Sequence, residues 1–314
     1  MPSAAAATLM GSQRASARDN AVMPAVSQAL VDFANHHRQE AAPGIEVVVT
    51  PRYHATIQPD FPIAGPNNVG WIRCKAGEAD EVIREARAIF AARHLPLMWT
   101  LDPEAEPSDF AQHLAKHGII PDPHGAESQV MVMPIDATVE GPAIEGLEIR
   151  DALVDLETFR MADGAAQEAF GQEIPSPLQG RGSGSNQLVP SSSRLRAGAG
   201  KNEYSAMQER RRLNFRAAGN RYWLLATMHG EPAGTAGMSL FPPEGAILQG
   251  GSVRASFRGR GIYRAMVAAR HEIARRAGAG GLAVWGGDMS APILSGLGFQ
   301  KVGWRRFYLD SSTV

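Results

Sequence analysis

Arginine and glycine alternate in the segment Arg258-Gly259-Arg260-Gly261. Glycines at 259 and 261 allow backbone amides to approach an anion without interference from a Cβ atom. The two guanidinium groups are charge-assisted donors, and the first N–H groups of a following helix also favour negative charge. We therefore predict a phosphate-binding turn, formed by Arg258, Gly259, Arg260, Gly261, Ile262 and Tyr263.

A strand and a helix must position this turn. Residues 246–253 form a short apolar run that is interrupted by Gly250 and Gly251, which is typical of a strand that passes close to a ligand. Apolar residues then recur at helical spacing from Ile262, and Gly278 is placed as the helix stop. The spacing of the turn is neither that of a Walker A loop nor that of a dinucleotide fingerprint.

Strand, turn and helix together resemble motif A of the GCN5-related N-acetyltransferase (GNAT) family, Arg/Gln-x-x-Gly-x-Gly/Ala. Arg258 and Gly261 match the motif, whereas Tyr263 stands where glycine or alanine is usual. The resemblance implies that the turn binds the pyrophosphate of acetyl-CoA. At Tyr263 it implies either a less close backbone approach or a ring that covers the cofactor.

The neighbouring segments extend the resemblance over residues 146–310. Runs 222–228 and 232–240 predict a hairpin around His229-Gly230-Glu231, and 281–285 predict a further strand. A short helix with Pro292 in its first turn ends in Leu297-Gly298-Phe299 and precedes a last strand at 302–309. The fold class expected is α/β, an α+β mixed sheet with the GNAT fold.

The N-terminal half repeats this order of elements. Helix, strand, short helix and strand are predicted between 78 and 135, and Gly118-Ile119 corresponds to Gly298-Phe299. Before this helix stands Cys74-Lys75-Ala76-Gly77, which lacks the phosphate turn. We expect residues 23–140 to form a degenerate GNAT-like domain without a cofactor site, which supplies a wall of the substrate groove. Residues 146–314 would form the acetyl-CoA-binding domain.

Two segments carry little structural signal. Residues 1–22 are rich in Ala, Ser and Arg and predict a disordered tail, with an organellar transit peptide as the weaker alternative. Residues 171–201 are rich in Gly, Ser and Pro and predict a flexible insertion. The insertion could attract an acidic substrate through its basic residues Arg181, Arg194, Arg196 and Lys201. A solvated insertion without a binding role is an equal alternative.

Composition limits the classes of partner. The 314 residues carry 31 Lys and Arg against 32 Asp and Glu, so no global positive charge favours a nucleic acid. No apolar run is long enough to span a bilayer, and Cys74 is the only cysteine. We expect a cytoplasmic protein without a membrane or nucleic-acid partner. His113 and His117 lie four apart without a third ligand in sequence, so no metal site is predicted.

Acyl transfer needs a donor for the developing oxyanion. The resemblance places this donor, a backbone N–H, at the end of the strand before motif A, near Ser252 and Val253. Gly250 and Gly251 would permit a bulge and a close approach of the cofactor there. We therefore add Gly251, Ser252 and Val253 to the cofactor-binding set, and Ser252 to the catalytic set.

The proton acceptor and donor depart from the family pattern. Gln249 and Gly250 occupy the strand positions where the family often has a carboxylate, so Asp288 is the first candidate for the base, with a turn or helix-capping role as its alternative. Leu294 replaces the usual acid, a tyrosine, and Tyr308 or water would substitute for it. Ser290 would cap the short helix or contact the cofactor.

The sequence thus predicts an acetyl-CoA-dependent N-acetyltransferase that acts on a primary amine. A small molecule, such as an antibiotic or a toxin, is the preferred acceptor by analogy alone. Two alternatives stay open. The first is a catalytically silent acyl-CoA sensor or interaction protein on the same fold, and the second is a domain that binds ATP or NAD through the same turn.

Overall fold

A computed structural model describes residues 25–169 and 201–313 of the chain. The predicted tail and nearly all of the predicted insertion lie outside these residues. The helices are α1 (Gln28–His36), α2 (Ala79–Ala91), α3 (Phe110–Lys116), α4 (Leu156–Ala169), α5 (Lys201–Ala218), α6 (Ile262–Arg276) and α7 (Ala291–Gly296). None of the helices in the described residues is both long and apolar enough to cross a membrane.

The first six strands are β1 (Glu46–Val49), β2 (His54–Ile57), β3 (Asn68–Gly70), β4 (Leu97–Leu101), β5 (Ile120–Pro121) and β6 (Glu127–Pro134). The others are β7 (Leu147–Asp151), β8 (Arg221–Met228), β9 (Glu231–Phe241), β10 (Gly245–Val253), β11 (Gly281–Gly286) and β12 (Gln300–Asp310). They form one mixed sheet in the order β1-β2-β3-β4-β12-β6-β11-β10-β9-β8-β7, and β5 pairs with β12.

Two similar units meet at the centre of this sheet. In the N-terminal unit β3 and β4 are parallel and α2 connects them; in the C-terminal unit β10 and β11 are parallel and α6 connects them. The short helices α3 and α7 end alike, because Gly118 and Gly298 both have positive φ. The following amides, of Ile119 and Phe299, donate to Leu114 O and Leu294 O at 3.0 Å each. The repeated order that the sequence predicts is therefore confirmed.

The last strand of each unit lies in the half of the sheet that belongs to the other. β6 pairs antiparallel with β11, from Gly281↔Pro134 to Gly286↔Gln129. β12 pairs antiparallel with β4, from Arg306↔Leu101 to Asp310↔Leu97, and also with β6. This exchange makes the sheet continuous. The division into domains at 23–140 and 146–314 stays a prediction, and the structure adds that each segment completes the other.

The core follows the same division. Trp99, Phe90 and Phe110 are the large members of a buried cluster in the N-terminal unit, whereas α6, α7 and the strands beneath them enclose a second cluster around Leu282 and Leu294. Helix α1 packs across the units, because Leu30 and Phe33 join Val130, Val132 and Ala283 in a further cluster. An N-terminal element therefore covers part of the C-terminal sheet.

Several elements had no sequence signal that we recognised, β2, β3 and α5 among them. β2 is buried along its whole length and β3 has only three residues, so neither shows the alternation by which strands are recognised. Helix α5 is largely polar, and its buried residues include Gln208, Arg211 and Arg212 beside Phe215. A helix that buries polar residues lacks the apolar periodicity on which prediction depends.

Candidate functional site

A bulge interrupts β10 at its two glycines. The pairing with β9 shifts register between Gln249 and Ser252, and Gly250 has φ +54°. The ring of Trp223 lies 3.6 Å from the place that a Cβ on Gly250 would take. The bulge predicted from Gly250 and Gly251 is therefore confirmed, and glycine is needed because an L side chain rarely adopts this conformation.

An opening between two strands begins beside this bulge. β10 and β11 pair in parallel from Ala246↔Leu282 to Leu248↔Val284. Beyond Leu248 and Val284, no backbone hydrogen bond joins the two strands or their extensions within the described residues. The opening thus lies at the carboxyl ends of two parallel strands, where ligands of open α/β sheets generally bind.

The turn after β10 presents free amides at the start of α6. A 3₁₀ turn at Ala255–Phe257 leads into Arg258, and Gly259 and Gly261 follow with φ +77° and +83°. The amides of residues 259–261 find no acceptor among the described residues. A Cβ on Gly261 would stand 2.9 Å from Cγ of Pro142. The turn therefore has the geometry of an anion cradle at a helix N-terminus.

The arginines around the turn differ in their partners. Arg254 is neutralised by two carboxylates, because its guanidinium contacts Glu168 at 2.7 Å and Glu231 at 2.9 Å. Arg258 and Arg260 are exposed and donate only to carbonyl oxygens, Val253 O at 3.2 Å and Ser256 O at 3.5 Å among them. Two positive charges therefore remain without a carboxylate in the described residues, at the end of α6 where an anion is most favoured.

Tyr263 turns away from the turn and into the protein. Its ring packs with the cluster around Leu294, and its Cε2 lies 3.1 Å from the place of a Cβ on Gly251. The hydroxyl interacts with Ser290 at the start of α7 and with the buried guanidinium of Arg270. Tyr263, on α6, therefore lies between the bulge of β10 and the start of α7, and no sequence pattern had indicated a role for Arg270.

The predicted catalytic residues are not brought together. Ser252 is buried and its hydroxyl has no partner among the described residues. Asp288 lies in an exposed turn after β11, and Ser290 closes that turn by donating to Gly287 O at 3.3 Å. Ser290 occupies the N-cap position of α7 without a side-chain capping bond. Tyr308 lies on β12 opposite Trp99, three strands from β10, and packs on the N-terminal core.

The histidine pair has a structural partner. His113 and His117 both contact the carboxylate of Asp80, at 2.9 and 3.2 Å. In residues 25–169 and 201–313 no three His, Cys, Asp or Glu side chains come together in a way that could hold a metal ion.

The other face of the C-terminal sheet carries a buried polar network between α4 and α5. Asp163 accepts from Tyr204, Gln208 and Arg211 at 3.0, 2.7 and 2.9 Å. Burial alone would raise the pKa of Asp163, but Arg211 and its other donors outweigh burial and hold it below its usual value. Arg211 also stacks on Phe61 of the N-terminal unit at 4.0 Å. This network fixes both helices against the N-terminal unit.

The corresponding opening of the N-terminal unit is closed. A bridge pairs Arg73 with Glu106, and the amides of Cys74 and Glu106 donate to Glu106 O and Ile72 O at 3.1 and 2.9 Å. The 3₁₀ turn Ala76–Glu78 then runs directly into α2 at Ala79, without residues that correspond to 258–261. Backbone hydrogen bonds thus join the extensions of β3 and β4, whereas the corresponding extensions of β10 and β11 stay apart.

Comparison with known proteins agrees with this geometry. Residues 193–290 match the model of the acetyltransferase (GNAT) family. A GCN5-related N-acetyltransferase from Kribbella flavida is 17% identical at a TM-score of 0.56, over 86% of this chain and 90% of that one. A protein of unknown function from Staphylococcus epidermidis has a TM-score of 0.60 at 12% identity, over 90% of this chain and 99% of that one.

A tandem GNAT protein from the clavulanic acid biosynthesis pathway is also similar, with a TM-score of 0.50 and 13% identity over 86% of this chain and 84% of that one. No curated protein sequence matches the chain. Residues 193–290 thus match the GNAT family model, and the chain has the fold of two tandem GNAT copies, the N-terminal and C-terminal units described above.

Proposed function

We propose that the C-terminal copy is an acetyl-CoA-dependent N-acetyltransferase that acts on a primary amine of a small molecule. The observation that carries the proposal is that the anion cradle at 258–261 follows, in the same segment, the bulge at Gly250 and Gly251, which lies where β10 and β11 stop pairing. Family members are acetyltransferases in general. Acetyl-CoA would supply an acyl group on a thiol that leaves readily.

The residues of this segment fit the parts of that cofactor. Arg258, Arg260 and the amides of 259–261 would bind the pyrophosphate, because they are positive or donate hydrogen bonds and have no anionic partner among the residues that the structure describes. Gly251, Ser252 and Val253 would face the pantetheine arm and the thioester. In the resemblance, an N–H near Ser252 and Val253 stabilises the charge that develops on the carbonyl oxygen, and the bulge confirmed there supports this role.

Asp288 remains our candidate for the base. It is exposed beside the end of β11 and makes no hydrogen bond or ion pair within the described residues, so its carboxylate is available to accept a proton. An alkylamine has a pKa of about 10.4 in water, so the acceptor must lose a proton before it attacks. We do not carry Tyr308 into this proposal, because its place on the N-terminal core separates it from β10.

Titration calorimetry with acetyl-CoA, alongside ATP and NAD, is the first test. Release of free thiol with a panel of small amines, including aminoglycoside antibiotics and polyamines, is the second. We expect acetyl-CoA binding without ATP or NAD binding, and thiol release that depends on one class of amine. Acetyl-CoA binding without turnover on any amine would favour the silent sensor, and ATP or NAD binding without competition by CoA would favour the nucleotide-binding alternative.

A further inference from the structure

Within the described residues, Arg270 on α6 is a buried cation without an anionic partner. Its side chain is among the largest that are fully buried, with 1% exposure. Its Nε donates to Met266 O and its Nη1 to Gly237 O, both at 3.1 Å. Burial lowers the pKa of Arg270 to about 10, so the guanidinium is still charged at neutral pH. Burying a charge without a partner of opposite charge is costly.

In the described residues no hydrogen bond or ion pair joins a carboxylate to Arg270, and the carboxylates of β7, Glu148 and Asp151, are exposed. β10, β11 and α7 contain no ionisable residue at all, and β9 contains only Glu231, which pairs with Arg254 at its far end. Asp288 lies in the exposed turn that precedes α7. Tyr263, two turns before Arg270 on the same helix, is thus the titratable group that borders the guanidinium.

Tyr263 and Arg270 meet at the bulge. A Cβ on Gly251 would lie 3.1 Å from the Tyr263 ring, and 3.5 and 3.7 Å from the two terminal nitrogens of Arg270. The missing side chain of Gly251 therefore makes the room in which both groups lie. The Tyr263 hydroxyl also interacts with Ser290, four residues before Leu294 on the side of α7. The phenol of Tyr263 thus borders the opening from α6. On α7, the position where the family usually has a tyrosine is occupied by Leu294.

We propose, resting on the function proposed above, that Tyr263 is the acid that protonates the departing sulfur and that Arg270 is its positioning residue. As the acceptor nitrogen bonds to the carbonyl carbon and the carbon–sulfur bond breaks, Tyr263 donates its hydroxyl proton to the sulfur. The phenolate then recovers a proton from the acceptor nitrogen through solvent. The exchange needs no further reactant, and Arg270 forms an ion pair with the phenolate while it exists.

The protonation state of Tyr263 agrees with this role. Burial raises the pKa of Tyr263, while Arg270 and Ser290 act in the opposite direction by favouring the phenolate. A phenol with a raised pKa stays protonated throughout the neutral range, so the acid is loaded before each turnover. The positive charge of Arg270 lowers the cost of losing that proton. Without Arg270, the buried phenol would be a poorer acid.

The kinetic test compares Tyr263→Phe with Tyr222→Phe, a matched control because Tyr222 packs on the same cluster. Acetyl-CoA is the donor, and hydroxylamine is the acceptor unless the amine panel has identified one. We expect Tyr263→Phe to lower kcat by about 10–100-fold, the low end for general acids because thiolates leave readily, with the KM of acetyl-CoA unchanged. The basic limb of the pH profile of kcat should disappear, and Tyr222→Phe should resemble the unmodified protein.

A second readout needs neither donor nor acceptor. Ultraviolet titration of the unmodified protein minus that of Tyr263→Phe isolates the phenolate signal of Tyr263. Arg270→Gln should raise the pKa of Tyr263, whereas Arg270→Lys should keep it near its original value and restore most of kcat. Should Tyr263→Phe fail to fold, the difference between Arg270→Gln and Arg270→Lys in titration and in kcat carries the test.

The outcomes separate the two proposals. Normal CoA affinity together with an unchanged kcat in Tyr263→Phe overturns the acid assignment and leaves the proposed function intact. Parallel losses of CoA affinity and kcat also overturn it, since they indicate packing around the cofactor. Failure of the unmodified protein to bind acetyl-CoA removes the proposed function itself, and the acid assignment with it.

Discussion

The two copies contain the same bulge and use it in opposite ways. In the C-terminal copy the bulge consists of Gly250 and Gly251, and the strands beside it separate. In the N-terminal copy Trp71 has φ +56° at the corresponding point and Ile72 follows it. Trp71 lies between two guanidinium groups, those of Arg38 at 3.7 Å and Arg73 at 5.1 Å. The same backbone irregularity is thus open in one copy and filled in the other.

The turns and the strand ends also differ between the two copies, and again only the C-terminal copy is open. Both copies have a 3₁₀ turn after the bulge, but only the C-terminal copy inserts Arg258–Gly261 before its helix. Asp102 follows β4 and is bound by Arg73 at 3.1 Å, whereas Asp288 follows β11 without a partner in the described residues. A few residues thus distinguish the open copy from the closed one: two glycines, a four-residue turn and a carboxylate that has no partner in the described residues.

The largest effect should come from reversing the charge of the cradle. Arg258→Glu with Arg260→Glu should weaken CoA binding at least about 100-fold, because each charge-assisted hydrogen bond contributes about 1.5–3 kcal/mol and repulsion replaces attraction. Calorimetry measures the change. Arg84→Glu, on the exposed face of α2, makes the same kind of charge change in the other copy and should leave CoA affinity unaltered. Equal affinity in all three proteins would refute the cradle.

The unpaired carboxylate should matter next. Asp288→Asn should lower kcat by about 100-fold if this side chain accepts the proton of the acceptor amine, with little change in CoA affinity. Asp102→Asn, the counterpart in the N-terminal copy, should leave kcat unaltered and affect stability instead. Thiol release measures both variants. A normal kcat in Asp288→Asn would mean that solvent or another group accepts the proton.

Filling the bulge should have a smaller effect. Gly251→Ile introduces the side chain that the N-terminal copy has, and its Cβ would contact the Tyr263 ring at 3.1 Å. We expect about a tenfold loss of kcat/KM for acetyl-CoA. The added side chain crowds the bulge, which costs about 1–3 kcal/mol, and Tyr263 must move to relieve the crowding. Gly77→Ala, where a Cβ meets nothing within 4 Å, is the control and should be neutral. An unaffected Gly251→Ile would show that the bulge needs no open space.

A substitution in the closed N-terminal copy should have the smallest effect on CoA binding. Arg73→Met removes the partner of Asp102, whose side chain is only 10% exposed, and should lower the free energy of unfolding by about 1–3 kcal/mol. CoA affinity should stay the same, because the N-terminal copy closes its strands by backbone hydrogen bonds. Urea denaturation and calorimetry measure the two quantities. A change in CoA affinity would indicate that the N-terminal copy takes part in binding.

Local patterns were sufficient where one segment specifies its own geometry. The hairpin around His229 and Gly230, the bulge at Gly250 and Gly251, and the turn before Ile262 were all predicted, because glycine conformation and helix periodicity depend on neighbouring residues. The repeat was visible for the same reason. Each of these features is encoded within about a dozen consecutive residues.

Features that depend on distant residues escaped the sequence. Tyr308 was expected at the site, but the exchange of β6 and β12 carries it to the N-terminal core, and no local pattern reports such an exchange. Helix α5 buries Arg211 because Asp163, on another helix, neutralises it. Arg270 occupies a helical face that periodicity assigns to apolar residues.

The sequence alone determined the resemblance to motif A of the GNAT family, the repeated order of elements and the turn at 258–261, because these are properties of consecutive residues. Tertiary structure decided which strands complete each copy, which of the two parallel strand pairs opens, and which side chains reach the opening. The physical reason is that pairing partners and buried charges are selected by groups far away in the chain. Tyr263 shows the division: its identity is a departure from a motif, and its position beside Arg270 and Gly251 follows only from the fold.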